Sequence, residues 1–180
     1  MISSLFELIS YNTVFEVVCK DIYIQYNSIK TIMGLAMDKL YLGMGCFWSS
    51  QYLFKKHYPE VETNVGYTEN GVELLEIPYS SLEQLDKYLG TFFENHSFSL
   101  TEIPDKYQSY IYYSNEDHYS NILYAFNHFN QKIKLSGRVG ESKTKIHRMT
   151  RFIPASEHNQ DYLAKNPTVK CVLGFNGVYY

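Results

Sequence analysis

The chain has 180 residues, 45% of them hydrophobic and 19% charged, with a net charge of −3 and a pI near 6.1. That length supports one domain with a real core, and the composition is neither that of a disordered nor of a membrane protein. The absence of a basic stripe argues against a nucleic-acid surface, and no run reaches the ~18 apolar residues of a membrane span.

The three cysteines, Cys19, Cys46 and Cys171, are odd in number and widely spread. They suggest neither a secreted disulfide framework nor a zinc site, and they fit a cytoplasmic protein with one or two working thiols. The six histidines show no metal-ligand spacing. No metal or organic cofactor is expected.

Residues 1–36 are apolar without a clean period, so residues 1–37 read as an N-terminal extension, peripheral to a domain over 38–180. They lack the basic start and cleavage site of a signal peptide. From there the pattern sharpens. Residues 39–43 form a short strand, and a helix over 47–57 is stopped by Tyr58-Pro59. Cys46 falls between them, at the first helical turn. Unpaired backbone N–H groups and the helix dipole favour a thiolate there, which makes Cys46 a candidate nucleophile.

Val61, Thr63, Val65 and Tyr67 alternate with polar residues or glycine, the period of a half-buried strand. Asn70-Gly71 predicts a tight hairpin, because both residues tolerate positive φ. The return strand covers 72–77, with Pro78 ending it. Ser80-Ser81-Leu82-Glu83 reads as a capping box. It opens a helix carrying Leu82, Leu85, Leu89, Phe92 and Phe93 at helical spacing.

A loop over 95–106 leads to a strand over 107–113. Ser114-Asn115-Glu116-Asp117 then caps a helix with Ile122, Leu123, Phe126 and Phe129 on one face. A short strand over 143–152, a short helix over 157–165 and a glycine-broken tail with Cys171 complete the chain. Alternating strands and helices with one tight hairpin predict an α+β two-layer sandwich.

Four segments in register carry a resemblance. They are Gly43-Met44-Gly45-Cys46-Phe47-Trp48, Val65-Gly66-Tyr67, Phe93-Glu94-Asn95-His96 with Lys106-Tyr107-Gln108-Ser109-Tyr110-Ile111-Tyr112, and Phe152-Ile153-Pro154-Ala155 through Gln160-Asp161-Tyr162-Leu163-Ala164-Lys165-Asn166-Pro167. In these the chain resembles the A-type peptide methionine sulfoxide reductases, from about Asp38 to Cys171. The resemblance implies a mixed, mostly antiparallel sheet with helices packed on it and a ferredoxin-like core. It also implies thiol-dependent reduction of methionine-S-sulfoxide, free or in oxidised proteins, as a repair reaction under oxidative stress.

Sulfoxide reduction needs a soft nucleophile and an acid for the departing oxygen. Cys46 supplies the first. By the resemblance Glu73 supplies the second, desolvated among Val72, Leu74 and aromatics. From the residues alone, Glu73 is equally an outward strand residue. Phe47 and Trp48 match the apolar wall around the substrate methyl group, and Tyr107 matches a tyrosine that hydrogen-bonds the sulfoxide oxygen. Cys171 stands at the spacing of a resolving cysteine, which implies a Cys46–Cys171 disulfide reduced by thioredoxin. The expected protein is monomeric and binds neither nucleic acid nor membrane.

The chain also departs from the family. Only Thr68-Glu69-Asn70-Gly71-Val72 separate Tyr67 from Glu73, where the family has a long loop with a further substrate-binding tyrosine. Gln51 replaces a family glutamate, and Gln108 an arginine. For the site aspartate, Glu102 fits by spacing and Asp105 by type. These losses keep a second reading open, a catalytically degenerate relative that acts as a binding protein.

Overall fold

The computed structural model describes residues 37–95, 104–135 and 142–169. Its elements in chain order are β1 (Asp38–Met44), α1 (Phe47–His57), β2 (Asn64–Tyr67), β3 (Glu73–Tyr79), α2 (Leu82–Asn95), β4 (Ser109–Tyr113), α3 (Tyr119–Leu135), β5 (Lys145–Arg148), β6 (Ile153–Pro154) and α4 (Tyr162–Lys165). Single 3₁₀ turns, Asp105–Tyr107 and Glu116–His118, lead into β4 and α3. The strands form one sheet in the order β5-β4-β1-β3-β2-β6. All neighbours are antiparallel except the parallel pair β4 and β5. The run β1-α1-β2-β3-α2-β4 in the spatial order 4-1-3-2 is the ferredoxin-like arrangement.

Strand alternation divides the core. Leu40, Leu42 and Met44 of β1, Leu75, Ile77 and Tyr79 of β3, and Ile111 and Tyr113 of β4 turn to one face. There they meet Phe47, Leu53 and Phe54 of α1, Leu85, Leu89 and Phe92 of α2, and Ile122 of α3. Tyr41, Val72 and Leu74 turn the other way and are covered by Tyr110, Tyr112, Met149 and Phe152. The period-two rule puts Glu73, in step with Leu75 and Ile77, on the helix-bearing face.

Several local expectations change. The hairpin has a three-residue loop rather than a two-residue one. Gly71 N–H donates to the Thr68 carbonyl at 3.0 Å and Thr68 N–H to the Val72 carbonyl at 3.0 Å. Gly71 alone takes positive φ, at 77°, the arrangement of a turn closed by a glycine bulge. The Thr68 hydroxyl accepts from Val72 N–H and reinforces this form.

The α2 cap sits one residue later than expected. Ser81 Oγ accepts from Gln84 N–H, and Gln84 reaches back to Ser80 N–H. Glu83 instead pairs with Lys87 one turn on. β3 runs through Pro78 to Tyr79, because β2 pairs with it only as far as Glu76 and leaves Pro78 with a neighbour on one side.

The expected strand over 143–152 is shortened to β5, Lys145–Arg148, and a second short strand, β6, follows it at the opposite edge of the sheet. Met149 and Phe152, on the crossing between them, cover the back face. The late helix is one turn, α4, because Asp161 before it adopts a left-handed backbone with φ 55°. The Asp161 N–H is held by Gln51 Oε1 at 2.7 Å.

Candidate active site

β1 ends and α1 begins within two residues. Gly45 makes the corner with φ 85°, a conformation that a side chain disfavours. Cys46 follows as the N-cap of α1, with φ −62° and ψ 120°. It lies one residue earlier than the first helical turn, and it is buried. Its carbonyl accepts from Ser49 N–H and Ser50 N–H, which fixes the start of the helix.

Glu73 caps that same helix end. Its Oε2 accepts from Phe47 N–H at 3.1 Å. The carboxylate thus lies on the N–H one residue beyond Cys46, at the positive end of α1. Its other oxygen, Oε1, is 3.6 Å from Lys106 Nζ. The expected setting among Val72 and Leu74 is corrected, because those side chains join the opposite face. The neighbours of Glu73 include Phe47, Tyr67 and Lys106. Burial disfavours its charge, whereas the amide and the ammonium favour it.

The apolar side of the site is built around Trp48. Cys46 and Leu163 are buried together, with Trp48, Tyr107, Tyr162 and Val169 packed on them. The Trp48 ring stacks on Tyr162, centroids 3.9 Å apart and planes 17° apart. Its indole N–H donates to Asn159 Oδ1 at 3.3 Å. Phe47 turns into the core and meets Tyr67 at 5.2 Å. Gln51 and Gln160 hold this wall in place. Gln51 bridges the Thr63 carbonyl and Asp161 N–H, and Gln160 bonds both Val65 N–H and the Val65 carbonyl. A cavity of about 290 Å³ lies on the outer side of Trp48, lined also by Tyr52, Lys56 and Leu163. Neither Cys46 nor Glu73 lines it, so its volume does not mark the reacting centre.

Five of the sequence-derived residues therefore meet: Cys46, Phe47, Trp48, Glu73 and Tyr107. Cys171 lies outside the described residues, as do Cys19 and Glu102. Asp105 is exposed and accepts from Gln108 Nε2 at 2.7 Å, so it serves its own turn.

Two residues of the cluster lie in the segments that carry the resemblance but had no role assigned from the sequence. Tyr67 is paired across the hairpin with Glu73. Burial raises the pKa of its phenol, with Glu73 adding to the rise and Lys106 opposing it. The short hairpin was the signal that could have found it. Lys106 also places its ammonium 4.4 Å from the Tyr107 ring centre, and only its adjacency to Tyr107 hinted at a role. Among the described residues, no group of three or more His, Cys, Asp or Glu could hold a metal ion, and no helix is long and apolar enough to cross a membrane.

The family model described as peptide methionine sulfoxide reductase matches residues 70–177. The chain is similar to the peptide methionine sulfoxide reductase MsrA of Agrobacterium fabrum, 30% identical over 164 residues, which cover 79% of this chain and 76% of that protein. The MsrA of Methanococcus maripaludis is 28% identical over 155 residues, covering 74% of this chain and 94% of its own. The same fold is seen in the methionine sulfoxide reductase A of Corynebacterium diphtheriae, with a TM-score of 0.66 at 20% identity, covering 77% of this chain and 79% of that one. It is seen again in reduced Mxr1 from Saccharomyces cerevisiae, with a TM-score of 0.66 at 21% identity, covering 77% and 92%. By its sequence and its sheet, the chain belongs to the peptide methionine sulfoxide reductase family, A type.

Proposed function

We propose that the chain reduces the S-epimer of methionine sulfoxide, free or within oxidised proteins, with Cys46 as nucleophile and Glu73 as acid. The observation that carries this reading is the Glu73 carboxyl on Phe47 N–H, 3.1 Å away and one residue beyond the Cys46 thiol. Nucleophile and acid converge on one helix end.

In this reaction the Cys46 sulfur attacks the sulfoxide sulfur and Glu73 gives a proton to the departing oxygen. The oxygen passes to Cys46, which is oxidised by two electrons to a sulfenic acid, and methionine leaves reduced by two. Trp48 and Phe47 supply a dry wall for the methyl group, and the Tyr107 hydroxyl steadies the oxygen. The Cys171 thiol then condenses with the sulfenic acid, releasing water and forming a disulfide. A protein dithiol of the thioredoxin class reduces that disulfide. The role of Cys171 rests on the family resemblance. The same reading takes residues 38–180 as the catalytic domain of a monomeric, cytoplasmic repair enzyme, with residues 1–37 as an extension.

The test is incubation with dithiothreitol and each epimer separately. Loss of the S-epimer alone is expected, and Cys46→Ser abolishes it. Cys171→Ser keeps the first turnover and blocks recycling by thioredoxin. Survival of both epimers would replace this reading with that of a binding protein.

A further inference from the structure

We propose that Lys106 is a positioning residue of this site, whose ammonium, set against Glu73 and Tyr107, fixes the pH range over which the Glu73 carboxyl gives up its proton. The proposal rests on the reading of Glu73 as the acid.

Glu73 is gripped at both oxygens by unlike groups. Oε2 takes the neutral Phe47 amide at 3.1 Å, and Oε1 faces Lys106 Nζ at 3.6 Å. The second separation is too long for a good hydrogen bond, so Lys106 acts mainly through its charge. The Glu73 side chain is 8% exposed and that of Lys106 51%, so the ammonium approaches from the solvent side. The 3₁₀ turn Asp105–Tyr107, just before β4, holds it there, with the Tyr107 ring 4.4 Å beneath it.

Titratable groups of this cluster include Cys46 at the start of α1, Tyr67 on β2, and Lys106 and Tyr107 on the 3₁₀ turn, all of which, with Glu73, act on the Tyr67 phenol. Among these, Lys106 is the cation. An ammonium beside a carboxyl favours its ionised form, which makes the protonated form a stronger acid. It also stabilises the carboxylate left behind after the proton has gone to the oxygen. Without that charge Glu73 keeps its proton to higher pH and releases it less readily.

Two readouts test this on the full-length protein. The first is the titration of the Glu73 carboxyl by carbon NMR, with the signal assigned by its loss in Glu73→Gln. Lys106→Met should raise the midpoint by roughly one pH unit, and Lys106→Arg should leave it in place. The second is the alkaline limb of single-turnover methionine formation, which should move with the NMR midpoint. An unmoved midpoint in Lys106→Met overturns the proposal whatever the activity. A moved midpoint with an unmoved limb in an active enzyme also overturns it. A rate lowered equally at every pH marks a structural lysine. If the midpoint moves and the unmodified protein has no turnover, the control of Glu73 by Lys106 stands, and the reductase reading fails.

Discussion

β3 carries two buried glutamates, Glu73 and Glu76, on opposite faces of the sheet. The parallels between them are close. Each stands across a strand pair from a tyrosine, Tyr67 for Glu73 and Tyr41 for Glu76. Each has a lysine within 4 Å, Lys106 at 3.6 Å and Lys39 at 3.0 Å.

The difference lies in the donors. Glu76 takes Lys39 Nζ at 3.0 Å and Asn64 Nδ2 at 3.2 Å. Glu73 takes the backbone N–H next to Cys46 and a longer charge contact. Residue type, burial and strand are shared, so none of them tells the proposed acid from its counterpart. What singles out Glu73 is its face, because only that face meets the start of α1.

The largest effect should come from Glu73→Gln. The amide can still accept from Phe47 N–H, so the helix end keeps its cap. On the proposed mechanism the proton donor is gone, and single-turnover methionine formation should fall by about 10²- to 10⁴-fold. The urea midpoint should change little, since the helix cap is kept and the ammonium left facing the amide is half-exposed and can be solvated. A rate unchanged in Glu73→Gln would make the two glutamates equivalent.

Glu76→Ala should do the opposite. It strands the donors of Lys39 and Asn64, both in partly buried contacts with the carboxylate. The loss should be about 1–3 kcal/mol in urea unfolding, with turnover per folded molecule unchanged. A fall in turnover without a fall in stability would show that the back face reaches the site.

The comparison also explains what the sequence could and could not disclose. The corner at Cys46 was legible because its signals are local. A strand run ends in glycine, a cysteine follows, and Tyr58-Pro59 closes the helix. The α+β two-layer class followed from strand and helix alternation with one short hairpin, whereas the ferredoxin-like core was implied only by the family resemblance. The side taken by Glu73 was not legible, since Val72, Glu73, Leu74 and Leu75 fit either register. It is decided by pairing with Tyr67, which depends on a three-residue loop that the Asn70-Gly71 signal understates by one residue. Lys106 was hidden for a different reason. It meets Glu73 only after α2 and the segment beyond it return the chain to the sheet, and local periodicity carries no record of that contact. The short α4 was hidden likewise, because the left-handed Asp161 is held by Gln51 on a distant helix.

The smallest effects should appear at alkaline pH, in the tyrosines opposite the two glutamates. Burial raises the pKa of Tyr41, and Glu76 adds to the rise; burial raises that of the neighbouring Tyr112 to about 12. A phenol with a folded pKa above its unfolded value of ~10 contributes stability that is fully present below pH 10. That contribution is lost as pH climbs towards the folded value, because the unfolded chain ionises first. The urea midpoint of the unmodified protein should therefore be flat below about pH 10 and decline above it. Tyr41→Phe and Tyr112→Phe should each make the decline shallower. Tyr67→Phe should do so least, because Lys106 offsets part of the push from Glu73. If Tyr67→Phe flattens the decline as much as Tyr41→Phe, Lys106 does not counter the field of Glu73, and the electrostatic contrast between the two faces fails with it.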